Sequence, residues 1–231
     1  MPRKSLVSKA NRRPDTISRM LDAAEKLFGE HGYDGVGMRA LAVASKVNLG
    51  AATYHFGSKR ALYIETFMRR FRPINAERLT LLREAEARAE GRVLTVEQIV
   101  DCMLRPSYFL GLTHPGFNAL LARNFATPPA FLRAAFYREF ESSVREFISA
   151  LHRSLAHLPA DLIQLRAIFS MGPLFTISAQ IERTAALRDP ALHENIFLEL
   201  VRFISAGLSS EPAAPAVRWP FPPRPSRGSH P

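Results

Sequence analysis

Residues 38–59 read MRALAVASKVNLGAATYHFGSK, and this stretch decides the fold. Apolar side chains in its first half recur at three- and four-residue steps and so share one face of a helix: Met38, Leu41 and Ala42. A short helix is therefore predicted at 38–45. Asn48 is a favoured N-cap residue and predicts a second short helix that ends near His55. The few residues around Lys46 that join the two helices have the length of a tight helix-to-helix turn.

Helices are also predicted on both sides of this pair. Asp15 is a good N-cap, and the apolar residues after it follow helical spacing up to Gly32, which ends the helix: Ile17, Met20, Leu21, Ala24, Leu27 and Phe28. Ser58 can cap a fourth helix that ends before Pro73, because proline disfavours a helical conformation of the residue before it. Four short helices are thus expected before residue 73.

The periodic segments lengthen from Pro73 onward. Thr95 and Gln98 have the spacing of a capping box, and Gly172-Pro173 predicts a kink. No segment alternates in the manner of a strand, and the chain has no internal repeat. The sequence therefore predicts an all-α fold, with the later helices at 74–90, 95–110, 115–125, 129–156, 159–183 and 190–207.

Positive charge is concentrated at one end of the chain. The net charge is +10, and residues 1–72 carry 14 Lys and Arg against 6 Asp and Glu, whereas residues 73–208 carry 14 of each. A basic N-terminal segment followed by a segment without net charge indicates a polyanionic partner. Nucleic acid is the main interpretation, and an anionic membrane surface is the alternative.

Several classes of protein and site are excluded by composition and motif. Cys102 is the single cysteine, so an internal disulfide is impossible, and His152 and His157 diverge on a helix rather than forming a metal-binding pair. The sequence contains neither a nucleophile elbow nor a phosphate-binding glycine loop. The basic start lacks the apolar run of a secretory signal, and no stretch of about 18 residues is continuously apolar. We therefore expect a cytoplasmic protein that is not an enzyme and holds no cofactor or metal.

The two short helices and their turn have the size of a helix-turn-helix, in which the second helix enters the DNA major groove. The small residues Gly50, Ala51 and Ala52 would let this helix lie deep in the groove. Tyr54 and His55 at its end would reach phosphate. Lys59 would stand at the N-terminus of the next helix, where both its charge and the helix dipole favour an anion.

Residues 21–63, LDAAEKLFGEHGYDGVGMRALAVASKVNLGAATYHFGSKRALY, resemble the N-terminal domain of the TetR family of bacterial transcriptional regulators. The resemblance lies in AAEKLF followed by HGY, in the YHF block that follows Val47 at family spacing, and in Ser58-Lys59 followed by Leu62. It implies a homodimeric repressor on a pseudo-palindromic operator. It also implies a larger C-terminal domain that binds a small molecule and thereby changes the affinity for DNA.

Two features of the turn and second helix depart from the family pattern. The family usually has a small residue and then Gly in the turn, where this chain has Ser45 and Lys46. If Lys46 takes the left-handed conformation, the strain is about 1 kcal/mol, offset by a phosphate contact. The second helix also has few side chains that can read bases, so thymine methyls and DNA shape should contribute to specificity. The predicted DNA-binding residues are Arg39, Lys46, Asn48, Leu49, Gly50, Ala51, Thr53, Tyr54, His55 and Lys59.

The predicted organisation has four parts. Residues 1–14 form a basic arm that either enters the minor groove or frays, and residues 15–72 form a DNA-binding domain of three to four helices. Residues 73–208 form the ligand-binding and dimerisation domain, and residues 209–231 a disordered proline-rich tail. The last helices are apolar on more than one side, which suits a four-helix dimer interface.

A small hydrophobic effector, such as an acyl-chain compound, is predicted to bind among the helices at 95–110, 115–125 and the start of 129–156. LLARNFATPPAF and LPADLIQLRAIFSMG loosely resemble a fatty-acid-responsive TetR subgroup, and two arginines border an excess of large apolar side chains. The alternatives are a plain hydrophobic core and an architectural DNA-binding protein without an inducer. The predicted pocket residues are Met103, Arg105, Tyr108, Phe109, Phe117, Leu121, Arg123, Phe125, Phe131 and Phe136.

Overall fold

The computed structural model describes residues 16–213, and every regular element in this range is helical. The predicted all-α fold is thereby confirmed. The basic arm and most of the proline-rich tail lie outside the described residues. The ten α-helices and one short 3-10 helix are α1 (Thr16–His31), α2 (Met38–Ser45), α3 (Leu49–Phe56), α4 (Lys59–Arg88), α5 (Val96–Thr113), α6 (Pro115–Ala126), α7 (Ala130–Ser154), α8 (Ala160–Phe169), α9 (Met171–Arg183), the 3-10 helix Ala185–Arg188 and α10 (Pro190–Ser209).

Local signals in the sequence account for many helix ends. Gly32 takes a left-handed φ of 72° directly after α1, and Asn48 caps α3 by accepting a 2.7 Å hydrogen bond from the Gly50 amide. The capping box before α5 is complete, because Thr95 N–H donates to Gln98 Oε1 and Gln98 N–H donates to Thr95 Oγ1. These three predictions are confirmed.

The predicted helix end at Pro73 is wrong. One helix, α4, runs without interruption from Lys59 to Arg88 and contains Pro73 in its interior. A proline there removes one helical hydrogen bond. Burial of Phe71 and Ile74 on either side stabilises the helix through the defect, so packing overrides the local signal.

The predicted single helix at 159–183 is interrupted at Ser170, one turn before the expected kink. Pro173 has no N–H to donate to the carbonyl of residue 169, and its ring collides with that carbonyl. The helix therefore ends at Phe169 and α9 begins at Met171. The proline does disturb the helix, but its effect falls four residues toward the N-terminus.

By its packing the chain divides into two compact units. Of the described residues, the first contains 16–73 together with 113–137, and the second contains 74–112 and 138–213. Helix α6 and the start of α7 thus belong to the same unit as the helix-turn-helix. In the second unit, α10 contributes buried side chains at helical spacing: Phe197, Leu200, Val201, Ile204 and Leu208.

An ion network joins α1 to α4 within the first unit. Glu25 is only 7% exposed, and its Oε2 atom accepts from Arg69 Nη2 at 2.9 Å and from Arg70 Nε at 3.0 Å. Arg69 also pairs with Asp22 through Nη1 at 2.9 Å. A buried carboxylate that lost these partners would cost roughly 3–5 kcal/mol, so the network holds the two helices in one register.

Helix α1 also crosses α6 at an unusually close contact between two glycines. A Cβ built on Gly29 would lie 2.4 Å from the carbonyl oxygen of Gly116, and one built on Gly116 would lie 3.2 Å from Cα of Lys26. Both obstacles are backbone atoms, which cannot move away as a flexible side chain would. The crossing therefore requires glycine on both helices.

We expect Gly29→Ala to lower the free energy of unfolding by about 1–3 kcal/mol, because the added methyl group forces α1 and α6 apart. Gly37→Ser is the control, since nothing lies within 4 Å of a Cβ at Gly37 and serine is a good N-cap. Urea denaturation of both variants gives the comparison. An unchanged midpoint for Gly29→Ala would contradict the close crossing.

Candidate nucleic-acid interface

The turn between α2 and α3 is built around Lys46 in the left-handed conformation, with φ 55° and ψ 41°. The amide of Lys46 donates to the carbonyl of Val43 at 3.1 Å, and the amide of Val47 donates to Ala42 at 3.0 Å. Arg19 of α1 donates to the carbonyl of Lys46 at 3.2 Å. The conformation expected for the family's glycine is thus present with a lysine, whose charged side chain is exposed.

Helix α3 turns one small residue inward and most of its other side chains outward. Ala52 is fully buried, whereas Tyr54 is 86% exposed. The small size of Ala52 lets α3 lie against the helices beneath it, so the opposite face of the helix is open. Most of the predicted DNA-binding residues are exposed: Arg39, Lys46, Asn48, Leu49, Gly50, Thr53, Tyr54 and His55. Ala51 and Lys59 are half-buried.

Thr53 presents its methyl group more than its hydroxyl proton. Thr53 Oγ1 donates to the carbonyl of Leu49 one turn earlier at 3.0 Å, so the proton is already used within α3. The exposed side of Thr53 therefore offers a methyl group and an acceptor. Such a surface complements the methyl group of thymine in the major groove.

Tyr33 positions Lys59, a contact that the sequence did not reveal. Lys59 is the first residue of α4, and its Nζ lies 4.2 Å from the centroid of the Tyr33 ring. Tyr33 in turn stacks among Phe28, Tyr63 and Phe131. A cation held against a fixed ring loses less entropy when it binds an anion. No local pattern links residues 33 and 59, because their contact is tertiary.

Val43 is a second surface residue that sequence reasoning missed. It is 79% exposed on α2 and lies one turn after Arg39, on the same face. The available signal was its failure to fit the inward set of Met38, Leu41 and Ala42. An exposed branched apolar side chain beside the turn adds a second methyl-bearing group to this surface.

Four of the predicted effector-pocket residues belong to the second unit. Tyr108 is fully buried, donates to the carbonyl of His193 at 3.2 Å, and packs with Phe109 against Phe197. Arg105 pairs with Asp101 at 2.7 Å and with Glu194 at 2.9 Å, which raises its pKa above the ordinary value. Its charge is therefore already neutralised. Met103, the fourth of these residues, is half-buried.

The other six predicted pocket residues belong to the first unit. Phe117 and Leu121 are buried, and the Phe136 ring packs at a tilt against the rings of Phe67 and Phe71. Arg123 is exposed and donates to the carbonyl of Glu30 at 3.4 Å. Phe131 lies beneath the guanidinium of Arg60, and Phe125 is half-buried. The ten residues are thus divided between the two units, and a shared effector pocket remains a prediction.

Models of known families match both ends of this architecture. The model of bacterial regulatory proteins of the tetR family matches residues 20–66, which include all ten predicted DNA-binding residues. A tetracyclin repressor-like C-terminal domain matches residues 101–207.

Similarity to individual curated proteins extends over short segments of the chain. The chain is 47% identical over 45 residues to the HTH-type transcriptional regulatory protein RaaS of Mycobacterium tuberculosis, over 20% of this chain and 21% of that protein. It is 40% identical over 45 residues to the HTH-type transcriptional repressor AcnR of Corynebacterium efficiens, over 20% of this chain and 24% of that protein. The matches thus span about a quarter of each relative or less.

Solved structures resemble the chain over most of its length. A TetR-like transcriptional regulator from Rhodococcus sp. RHA1 has a TM-score of 0.55 at 20% identity, covering 87% of this chain and 100% of that one. The fatty acid degradation regulator FadR from Bacillus halodurans also has a TM-score of 0.55, at 14% identity, covering 83% and 97%. At these identities the likeness establishes the fold.

We expect Lys46→Gly to raise the free energy of unfolding by about 1 kcal/mol, because glycine adopts the left-handed conformation without steric cost. Ala44→Gly, an exposed position inside α2, is the matched control and should lower stability by about 1 kcal/mol. Thermal or urea unfolding measures both. A loss of stability in Lys46→Gly would contradict the strain assigned to the turn.

Proposed function

The chain belongs to the TetR family of bacterial transcriptional regulators, and from that premise we propose that it is a homodimeric, cytoplasmic repressor. In this proposal it binds a pseudo-palindromic operator and a small hydrophobic effector releases it. The observation that carries the proposal is the open face of α3, with Lys46 in the turn before this helix and Lys59 at the start of the helix that follows it. The arrangement fits a helix that lies in the major groove between phosphate contacts.

Residues of this surface divide into two roles in the proposal. Lys59, Tyr54 and His55 bind phosphates, and Lys46 adds a further cation at the turn. Arg39, Asn48 and Thr53 contact bases, with Leu49, Gly50 and Ala51 close enough to the groove floor to exclude larger side chains. The Asn48 oxygen already accepts from the Gly50 amide, so its amide nitrogen is the group that remains for an acceptor on a base.

An apolar groove on the second unit supports dimerisation. The groove lies between α9 and α10, is open to solvent and has a volume of about 810 Å³; its lining includes Pro173, Ile177, Ile196, Leu200 and Phe203. Phe203 is 69% exposed, and Phe169 at the end of α8 is 62% exposed. Apolar surface of this kind marks a contact site in a water-soluble protein.

We assign this apolar surface to a second copy of the chain. By length and composition alone, Ala160–Ile181 would also pass as a membrane-spanning stretch. Its interruption at Ser170, between α8 and α9, fits helices that pack in pairs better than one continuous span. A two-fold interface would use the same groove on both copies and would impose two matching DNA half-sites.

The effector is proposed to bind the helical domain that follows the helix-turn-helix. Support comes from the C-terminal family model and from the predicted excess of large apolar side chains. The fold is shared with a regulator whose name refers to fatty acid degradation, although that likeness concerns the fold. The effector must bind more tightly to the conformation of the protein that fits DNA poorly. A ligand with equal affinity for both conformations would not change their relative populations. DNA affinity that no small molecule alters would favour the architectural alternative.

We expect Lys59→Ala to weaken binding to all DNA sequences and to reduce the slope of log K against log salt by about 1–2 per dimer. Thr53→Ala should leave that slope unchanged and relax preference at one base pair. Arg88→Ala removes the same charge from the other unit and is the control. Fluorescence anisotropy over a salt series, with selected and random duplexes, measures all three. A specificity change without a slope change in Lys59→Ala would reverse the assigned roles.

We expect Phe203→Glu to convert the dimer to a monomer at micromolar concentration, because burial of two unpaired carboxylates opposes association. The dissociation constant should rise at least about 30-fold. Val93→Glu is the control, since Val93 is 59% exposed but lies outside the groove. Sedimentation velocity distinguishes the two species. A Phe203→Glu protein that stays dimeric would place the interface elsewhere.

A further inference from the structure

A cationic side chain is buried in the second unit without a counter-ion. Arg78 of α4 is 3% exposed, and its Nη2 donates to Ser107 Oγ of α5 at 2.7 Å. Its Nε is buried and has no hydrogen-bond partner. Among the side chains that the structure describes, no carboxylate forms an ion pair with this guanidinium. Burial lowers the pKa of Arg78 to about 10, so the group still carries its charge at neutral pH.

The Nε edge of the Arg78 guanidinium carries a donor that no acceptor uses. Nε and Nη2 lie on the same edge of a guanidinium, and this edge donates two parallel hydrogen bonds to the two oxygens of a carboxylate. Ser107 uses one hydrogen of Nη2, whereas the Nε hydrogen has no acceptor. A buried unpaired charge is strongly unfavourable, and an anion that occupied this edge would remove the penalty.

A second unsatisfied polar atom lies one helical turn away on α4. Asn75 is 5% exposed, and its Nδ2 donates to the carbonyl of Glu139 at 3.0 Å, which fixes the orientation of the amide. Asn75 Oδ1 is therefore an acceptor, and it is buried without a donor. The occupant of this site is thus expected to offer an anionic oxygen to Arg78 and a hydroxyl group to Asn75.

Each of the two helices that carry these side chains contains a proline close to them. Pro73 lies two residues before Asn75 in α4, and Pro106 lies directly before Ser107 in α5. Each proline removes one helical hydrogen bond, and helices bend at such positions. The polar side chains of Asn75, Arg78 and Ser107 therefore lie beside the two positions at which a proline interrupts the hydrogen bonding of α4 and α5. The same helices bury apolar side chains that can contact the chain of a ligand: Leu82, Leu104 and Tyr108.

We propose that Arg78 binds the carboxylate of an amphiphilic carboxylic acid and that Asn75 accepts a hydrogen bond from a hydroxyl group near that carboxylate. This inference rests on the proposed ligand response and names the chemistry of its effector. Arg105 is a poorer candidate for the same role, because it already forms ion pairs with Asp101 and Glu194. The guanidinium of Arg78, in contrast, is buried beside a neutral hydroxyl, so an anion would stabilise its charge.

The test compares full-length wild type, Arg78→Met and Arg83→Met. Arg83 lies on the same helix, is exposed and pairs with Glu146, so it controls for loss of a charge from α4. Decanoate and 1-decanol are titrated by calorimetry. We expect wild type and Arg83→Met to bind decanoate at least about tenfold more tightly than decanol, and Arg78→Met to bind both equally. Decanoate with a hydroxyl at its second or third carbon should bind wild type more tightly than decanoate, and Asn75→Leu should remove that gain.

A spectroscopic readout separates binding from a purely structural role. In wild type the pKa of the bound decanoate carboxyl, followed by NMR of an isotope-labelled carboxyl carbon, should lie below its value in water, and in Arg78→Met it should not. If Arg78→Met does not fold, Arg78→Lys replaces it and should reduce the preference for decanoate several-fold, because an ammonium group cannot make the two parallel bonds.

Each outcome bears on a different claim. Equal binding of decanoate and decanol to wild type, or an unchanged preference in the Arg78 variants, overturns the role of Arg78 and leaves the ligand-responsive regulator standing. A hydroxyl that brings no gain overturns the role of Asn75. If wild type binds none of these compounds while an uncharged or cationic compound releases it from DNA, the proposed carboxylate class is overturned and the regulator again stands. DNA affinity that responds to no compound overturns both proposals.

Discussion

The buried carboxylate of Glu25 is the interaction on which the DNA-binding surface depends. It fixes α1 to α4 through Arg69 and Arg70, and α1 in turn supports the α2 to α3 turn through the Arg19 contact with Lys46. The position of Lys59 follows from the same arrangement, because it begins α4 and lies against Tyr33 just after α1. One desolvated charge thus sets the relative positions of the turn, α3 and the start of α4.

Sequence predicted those parts of the fold that local chemistry determines. The caps at Asn48 and Thr95 each depend on residues within a few positions of one another, and the structure has them as predicted. The left-handed conformation of Lys46 followed from the family pattern only as a condition, and the structure meets that condition. Pro73 was misread because its effect depends on the burial of neighbouring side chains, which local pattern does not report. The packing of α6 with α1 was equally hidden, since it depends on two glycines far apart in the sequence.

Part of the candidate site was accessible from sequence for a different reason. The DNA-binding residues of α3 were predicted from the size of the helix-turn-helix and from a family resemblance, and most of them are exposed. Arg105 and Arg123 were selected as ligand cations because they border apolar segments, yet the structure gives Arg105 two carboxylate partners. Arg78 was overlooked, because a sequence shows that an arginine is present but not whether its charge is neutralised.

The exposed groove of α9 and α10 and the unpaired charge of Arg78 are unfavourable in different ways, and each implies a different partner. An apolar groove is satisfied by any complementary apolar surface, and its cost is spread over many atoms. An unpaired guanidinium is satisfied only by an anion, and its attraction for that anion depends on exclusion of water. A ligand at Arg78 therefore gains most in the arrangement of α4 and α5 that keeps the site dry. That difference in affinity between two arrangements is the physical requirement for a ligand to shift the equilibrium between them.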